Sequence, residues 1–161
     1  MNIFILDYNP TKAAEFYCDK HIPKMCTELS QQLSSAVIRH GATEDQLPLT
    51  KSGTPVKGGY HHHPCTVWCG ETSSNFIWAC HHAIELCRQF TKRFNNTHFC
   101  QKGIEQLFNL CNLIPFGSHT PFALAMPDEL RSNDAVESYR NYYRTKPFAS
   151  WEKGVPQPSW F

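Results

Sequence analysis

Lys20-His21-Ile22-Pro23-Lys24-Met25-Cys26 begins the segment whose reading decides the fold. From Ile22 onward the apolar residues Met25, Cys26, Leu29, Leu33, Ala36 and Val37 recur at the spacing of one helical face. The pattern predicts a helix from Ile22 to Arg39, stopping near Gly41, with that face in a core. His21, Lys24, Glu28 and Gln31 follow the same period on the adjoining stripe, so a polar and titratable flank borders the buried face. Pro23 suits a helix start, where a residue loses nothing by lacking an N–H. The free amides and dipole of that helix end, with Lys20, His21 and Lys24 around them, predict an anion site.

Working outward, the apolar opening Asn2–Tyr8 contains a possible short strand, Asn2–Leu6, and ends in Asn9-Pro10, a cap followed by a proline. Ala13, Ala14, Phe16 and Tyr17 then predict a short helix. Gly41 to Tyr60 is rich in glycine and proline and poor in large apolar residues, which predicts a long surface loop of the kind that forms lids and binding loops. A helix is expected from Thr72 or Ser73 to Phe94, with Phe76, Ile77, Cys80, Ala83, Ile84, Cys87 and Phe90 toward the core. Another runs from about Lys102 to Leu113 and is ended by Pro115, and a last one spans about Asn133 to Arg144. No alternation persists long enough to build a sheet. The expected fold is all-α: a compact single-domain bundle of about five helices with a long loop between the second and third.

A chain of 161 residues is long enough to bury one core without staples. Its eight cysteines are expected to stay reduced in a cytosolic protein, since Asp7, Asn9 and Lys12 interrupt any apolar leader. No apolar run approaches the length of a membrane span. The formal net charge of +1 suits a small anionic ligand better than long DNA, which needs a strongly basic surface.

His61-His62-His63-Pro64 closes the long loop just before Cys65, Trp68 and Cys69, and zinc is the first chemistry to weigh there. The chain has no pair of cysteines two residues apart, and Cys80 and Cys87 fall on a face expected to be buried, so no metal and no other cofactor is expected. His63 precedes a proline, which holds it extended and fixes its side chain without a metal. On the third helix, Asn75, Trp78, His82, Glu85 and Gln89 form a stripe beside the apolar face. There an indole can stack, an amide can pair with a base edge and an imidazole can move a proton. The competing expectation is that Trp78 is core and His82 its neighbour. Tyr139, Tyr142 and Tyr143 share the fifth helix with Arg140 and Arg144, residue types that reach phosphates and bases but also cover cores. Trp160 and Phe161 are expected to pin the C-terminal tail to the body.

Lys20-His21-Ile22-Pro23-Lys24 resembles the Arg-Glu-Leu-Pro-Arg element of the phage pyrimidine-dimer DNA glycosylase/AP lyase family, the endonuclease V type. Phe76–Phe94 resembles that family's long Phe…Ile-Glu-Leu…Lys-Arg helix, and the two stretches fall in the same order, covering about a third of the chain. Asp19-Lys20-His21, His62-His63-Pro64, Thr120-Pro121-Phe122 and Ala125-Met126-Pro127 also resemble a group of phage-encoded proteins. The resemblance implies a compact helical fold and a setting in an infected host cell. In that family an N-terminal threonine amine, freed by removal of methionine, attacks the sugar, assisted by the glutamate of the element. Here Asn2 is bulky enough to retain Met1, His21 stands at the glutamate position, and Lys20 and Lys24 replace the arginines. An anion pocket is expected to survive these changes, and the lyase reaction is not.

These residues lead to a nucleotide-directed protein that hydrolyses a phosphodiester or phosphoanhydride bond without a metal. His21 is the expected acid or base, with His63 or His82 as counterpart. Lys20 and Lys24 would hold the phosphoryl charge, Asn75 and Trp78 the base, and Tyr139 and Arg140 further ligand contacts. Two alternatives accompany it: a protein that sequesters a nucleotide signal of host defence without turnover, and a DNA glycosylase.

Overall fold

The computed structural model describes residues 2–161. Its helices are α1 (Pro10–Glu15), α2 (His21–Arg39), α3 (Pro64–Cys69), α4 (Ser73–Phe94), α5 (Gln101–Phe108) and α6 (Ala135–Arg144). Among the described residues the only β-pairing is an isolated bridge between Leu49 and Pro55 inside the loop after α2. The fold is all-α, as the periodicity predicts.

Every member of the predicted apolar face of α2, from Ile22 to Val37, is buried. The helix begins two residues earlier than Pro23, at His21. It is entered through a turn in which the Cys18 carbonyl accepts the amides of His21 (3.0 Å) and Ile22 (3.3 Å). Pro23 has no amide to offer. The open backbone cradle expected at this helix end is therefore already closed by the chain itself, and any anion site here must be built from side chains.

α4 is the central helix and packs against α1, α2, α3 and α5. The Thr72 hydroxyl caps it by accepting from the Asn75 amide, and Asn95 ends it in the left-handed region at φ 52°. With neighbours on several sides, its buried surface is wider than its apolar stripe. Phe76, Cys80, Ala83 and Cys87 are buried as expected, Ile77, Ile84 and Phe90 lie at the half-buried edge, and the polar stripe Asn75, Trp78, His82, Glu85 and Gln89 faces inward. Trp78 and His82 of that stripe, with Arg93, serve the N-terminal segment. Trp78 Nε1 donates to the Tyr8 carbonyl (2.8 Å), His82 Nδ1 to Pro10 (3.0 Å), and Arg93 to Glu15 (2.8 Å) and Tyr17 (2.7 Å). Carbonyls around a helix as short as α1 lack partners of their own, and these donors let the segment be buried.

Asn2–Leu6 pairs with no strand. Ile3, Phe4, Ile5 and Leu6 are buried, and the Tyr17 hydroxyl accepts the Phe4 amide at 2.8 Å. The six-residue α3 was not foreseen, being shorter than two turns; His63 caps it and Pro64 opens it. The expected fourth helix ends at Phe108, and Cys111–Leu113 is a separate single turn. Asp134 caps α6 through the Glu137 amide at 2.7 Å. The C-terminal tail is pinned as expected: the Trp160 ring meets Phe16 edge-on at 5.8 Å, and Arg144 Nε donates to the Trp160 carbonyl at 2.9 Å. All eight cysteines are free thiols, and no described helix is long and apolar enough to cross a membrane.

Candidate anion-binding site

His21, at the first position of α2, is buried rather than displayed on the flank. Its ring lies between Phe4, nearly parallel at 5.0 Å, and Phe148, edge-on at 5.1 Å. The Tyr143 oxygen accepts the Cys18 amide at 2.8 Å and lies 2.8 Å from His21 Nδ1. Tyr143 therefore anchors the ring at Nδ1 and ties it to the turn before α2. Burial, and then the charges of Lys24, Lys146 and Lys20, lower the His21 pKa to about 4, so the ring is uncharged at neutral pH.

A cavity of about 280 Å³ opens beside this ring, lined chiefly by Phe4, His21, Lys24, Tyr142, Lys146 and Phe148. Its size is near the lower end of small-molecule sites. The Lys146 ammonium sits 3.5 Å from the centre of the Tyr142 ring, and Lys20 sits 4.8 Å from that of Phe148. Stacking on aromatic faces positions these cations without neutralising them. Lys24 has a carboxylate partner, Glu28, at 3.7 Å. The local charge remains positive, against aromatic walls and an imidazole: a setting for a small anion carrying a flat group.

The other candidates lie elsewhere. His63 caps α3, its Nδ1 accepting the Cys65 amide at 3.2 Å, and does not line this cavity. Burial lowers its pKa, while the nearby Glu28 carboxylate opposes the shift. His82 is fully buried with both nitrogens engaged, Nδ1 with Pro10 and Nε2 with the Tyr17 hydroxyl at 3.2 Å, and cannot exchange protons with a ligand in this cavity. Asn75 donates to the Trp68 carbonyl (2.9 Å) and the Thr120 hydroxyl (2.7 Å), and accepts the Thr120 amide (2.9 Å). Trp78 is buried with its N–H spent on Tyr8, and only its rim reaches a shallow hollow shared with His119 and Phe122. Tyr139 is buried and donates to the Ala123 carbonyl at 2.5 Å. Arg140 donates to Leu6, stacks 5.0 Å over Trp160 and lines a separate cleft with Asp134 and Glu137. Of the expected set, His21 and Lys24 share the cavity, with Lys20 at its edge.

Phe4, Lys146 and Phe148 were missed. They follow no helical period with His21 and arrive from the two ends of the sequence. Tyr142 was noticed as part of the tyrosine cluster, without a signal of its distant partners. The expectation that Met1 is retained falls outside the described residues. The metal alternative at the loop is not assembled, since His61 and His62 are exposed while Cys65 and Cys69 are buried on α3. The fold instead gathers Cys26, Cys87 and His98, whose ligand atoms lie within 4.8 Å of one another.

Because Asn75 ties α4 to Trp68 and Thr120 from inside, Asn75→Ala is expected to cost about 1–3 kcal/mol of stability by stranding buried partners. Urea denaturation measures this, and nucleotide affinity should be unchanged.

No protein-family model matches the chain, and no curated protein or solved structure matches it either.

Proposed function

We propose that the His21–Lys24–Lys146 cavity binds the phosphate of a small nucleotide and holds the ligand intact. The observation that carries this reading is the convergence of Lys24, Lys146 and Lys20 on a neutral His21 beside an aromatic-walled cavity. Ammonium groups donate to phosphate oxygens, and Phe4, Tyr142 and Phe148 offer faces for a base. Sequestration is favoured over hydrolysis by two features. A general base works best with a pKa near the working pH, and that of His21 is lowered to about 4. The expected counterparts His63 and His82 do not line the cavity. In an infected cell, such a protein would deplete a nucleotide signal by occupying it.

The test is to incubate the protein with cyclic and linear nucleotides, denature it and chromatograph the mixture. Ligand should be recovered intact, at no more than one equivalent retained per chain. Lys24→Ala and Lys146→Ala should each weaken binding by about tenfold or more, the loss of one hydrogen bond to a charged group. Their melting should change little, because Lys24 is exposed and Lys146 half-exposed. Cleaved nucleotide that disappears with His21→Gln would replace sequestration by hydrolysis.

A further inference from the structure

Cys26 in the first half of α2, Cys87 in the second half of α4, and His98 in the turn before α5 are far apart in sequence and meet where these elements cross. One ligand atom from each lies within 4.8 Å of the other two. Cys26 and Cys87 are both fully buried, so their thiols face each other away from water. His98 Nδ1 accepts the Cys100 amide at 3.1 Å, which holds the ring in place and leaves its proton on Nε2. A bound ion would take the Nδ1 lone pair in place of that amide, with the Nε2 proton left to face a backbone carbonyl as an outer-shell contact.

We propose that Cys26, Cys87 and His98 form a binding site for a divalent zinc-type cation, with a fourth position open toward solvent. Three observations carry it. First, the spacing is close to that of a bound set: a tetrahedral zinc with bonds of about 2.3 Å to sulfur holds its sulfur ligands roughly 3.8 Å apart. Small side-chain rotations close the difference. Second, the charges balance. On binding, each thiol loses its proton to solvent, and two thiolates with a neutral imidazole cancel a 2+ ion, so the buried complex carries no net charge. A monovalent soft ion would leave a buried negative charge. Third, there is an entry path. His98 and Cys100 line a cavity of about 350 Å³ together with Thr27, Ser30 and Lys51. Such a cross-link would tie α2, α4 and the turn that launches α5.

Cobalt(II) is the probe. Added to reduced, metal-stripped full-length protein, it should produce thiolate-to-cobalt charge transfer and tetrahedral d–d absorption, saturating at one equivalent and displaced by zinc. Cys26→Ser, Cys87→Ser and His98→Ala should each lower cobalt affinity by about tenfold or more, with Cys69→Ser as the unaffected control. His98 is half-buried on a turn, so His98→Ala keeps the test valid if either cysteine variant fails to fold. Absence of the charge-transfer band in the wild type would overturn the proposal. So would a band that survives in His98→Ala but is lost in Cys69→Ser, which would put the metal at the histidine-rich loop.

Discussion

Between pH 6.5 and pH 4 the protein is expected to lose much of its stability through two histidines. His21 and His82 each have a folded-state pKa of about 4, below the ordinary 6.5, chiefly because burial disfavours the charged ring. In that window the unfolded chain binds protons that the folded chain does not, so stability rises with pH. The contribution is fully present above about 6.5 and is lost as pH falls toward 4. A depression of this size corresponds to about 3 kcal/mol per fully enclosed group. His82, sealed between Pro10 and Tyr17, should come nearest to that value, and His21, beside a cavity, should fall below it. Urea unfolding at pH 7.5, 6 and 5 measures the slope, at pH values mostly above the carboxylate range. The slope should fall in His82→Gln but not vanish, since His21 and the smaller depressions of His63, His98 and His119 remain. A flat profile from 7.5 to 5 would show that both rings protonate in the folded state.

The second large effect is at Arg93. Its side chain is fully buried, with Nη1 donating to the Tyr17 carbonyl at 2.7 Å and to Asp19 Oδ1 at 3.1 Å. Nη2 donates to the Glu15 carbonyl at 2.8 Å. Asp19 in turn accepts the amides of Glu152 (2.6 Å) and Lys153 (3.1 Å), so this one pair joins the end of α1, the end of α4 and the C-terminal segment. Arg93→Met removes the guanidinium and leaves a carboxylate and two carbonyls without those donors. The expected cost is about 3–5 kcal/mol, the range for breaking a buried ion pair from one side. That is a large part of a typical domain's stability. Adding Asp19→Asn to Arg93→Met should recover part of the loss, because the unpaired charge is then gone. Chemical denaturation of the two single variants and the double variant checks both statements. Additive losses would mean that the two groups are not coupled.

The fold was legible where local periodicity and core coincide. On α2 the apolar stripe faces one set of neighbours, and the residues chosen from spacing are those the structure buries. On α4 the same spacing gives the helix and its cap but leaves the polar stripe open between a recognition surface and core; Trp78 and His82 are core, where the N-terminal segment packs on them, and Asn75 is tied to Trp68 and Thr120. A buried stripe of Asn, Trp and His reads like a recognition surface until the carbonyls it satisfies are known. The helix start at Lys20–Lys24 was read as an anion cradle because the turn that hands the Cys18 carbonyl to the first amides has no sequence signature. The cavity was half legible: His21 and Lys24 are one turn apart on α2. Lys146 and Phe148 lie more than a hundred residues away, and Tyr143 anchors His21 Nδ1 from the same distant segment. The same limit applies to Cys26, Cys87 and His98, brought together only by the crossing of helices.

The central claim, a phosphate site for a small nucleotide at His21, Lys24 and Lys146, is tested most directly by titrating a fluorescent nucleotide and a labelled duplex across a salt series. The wild type should be compared with the Lys24→Ala/Lys146→Ala double variant. The predicted result is nucleotide binding that weakens modestly with salt, since few phosphates are neutralised, and that is lost in the double variant; unlabelled nucleotide should displace any bound duplex. Tight duplex binding with a steep salt dependence, no competition by nucleotide and no change in the double variant would contradict the claim and favour DNA as the partner.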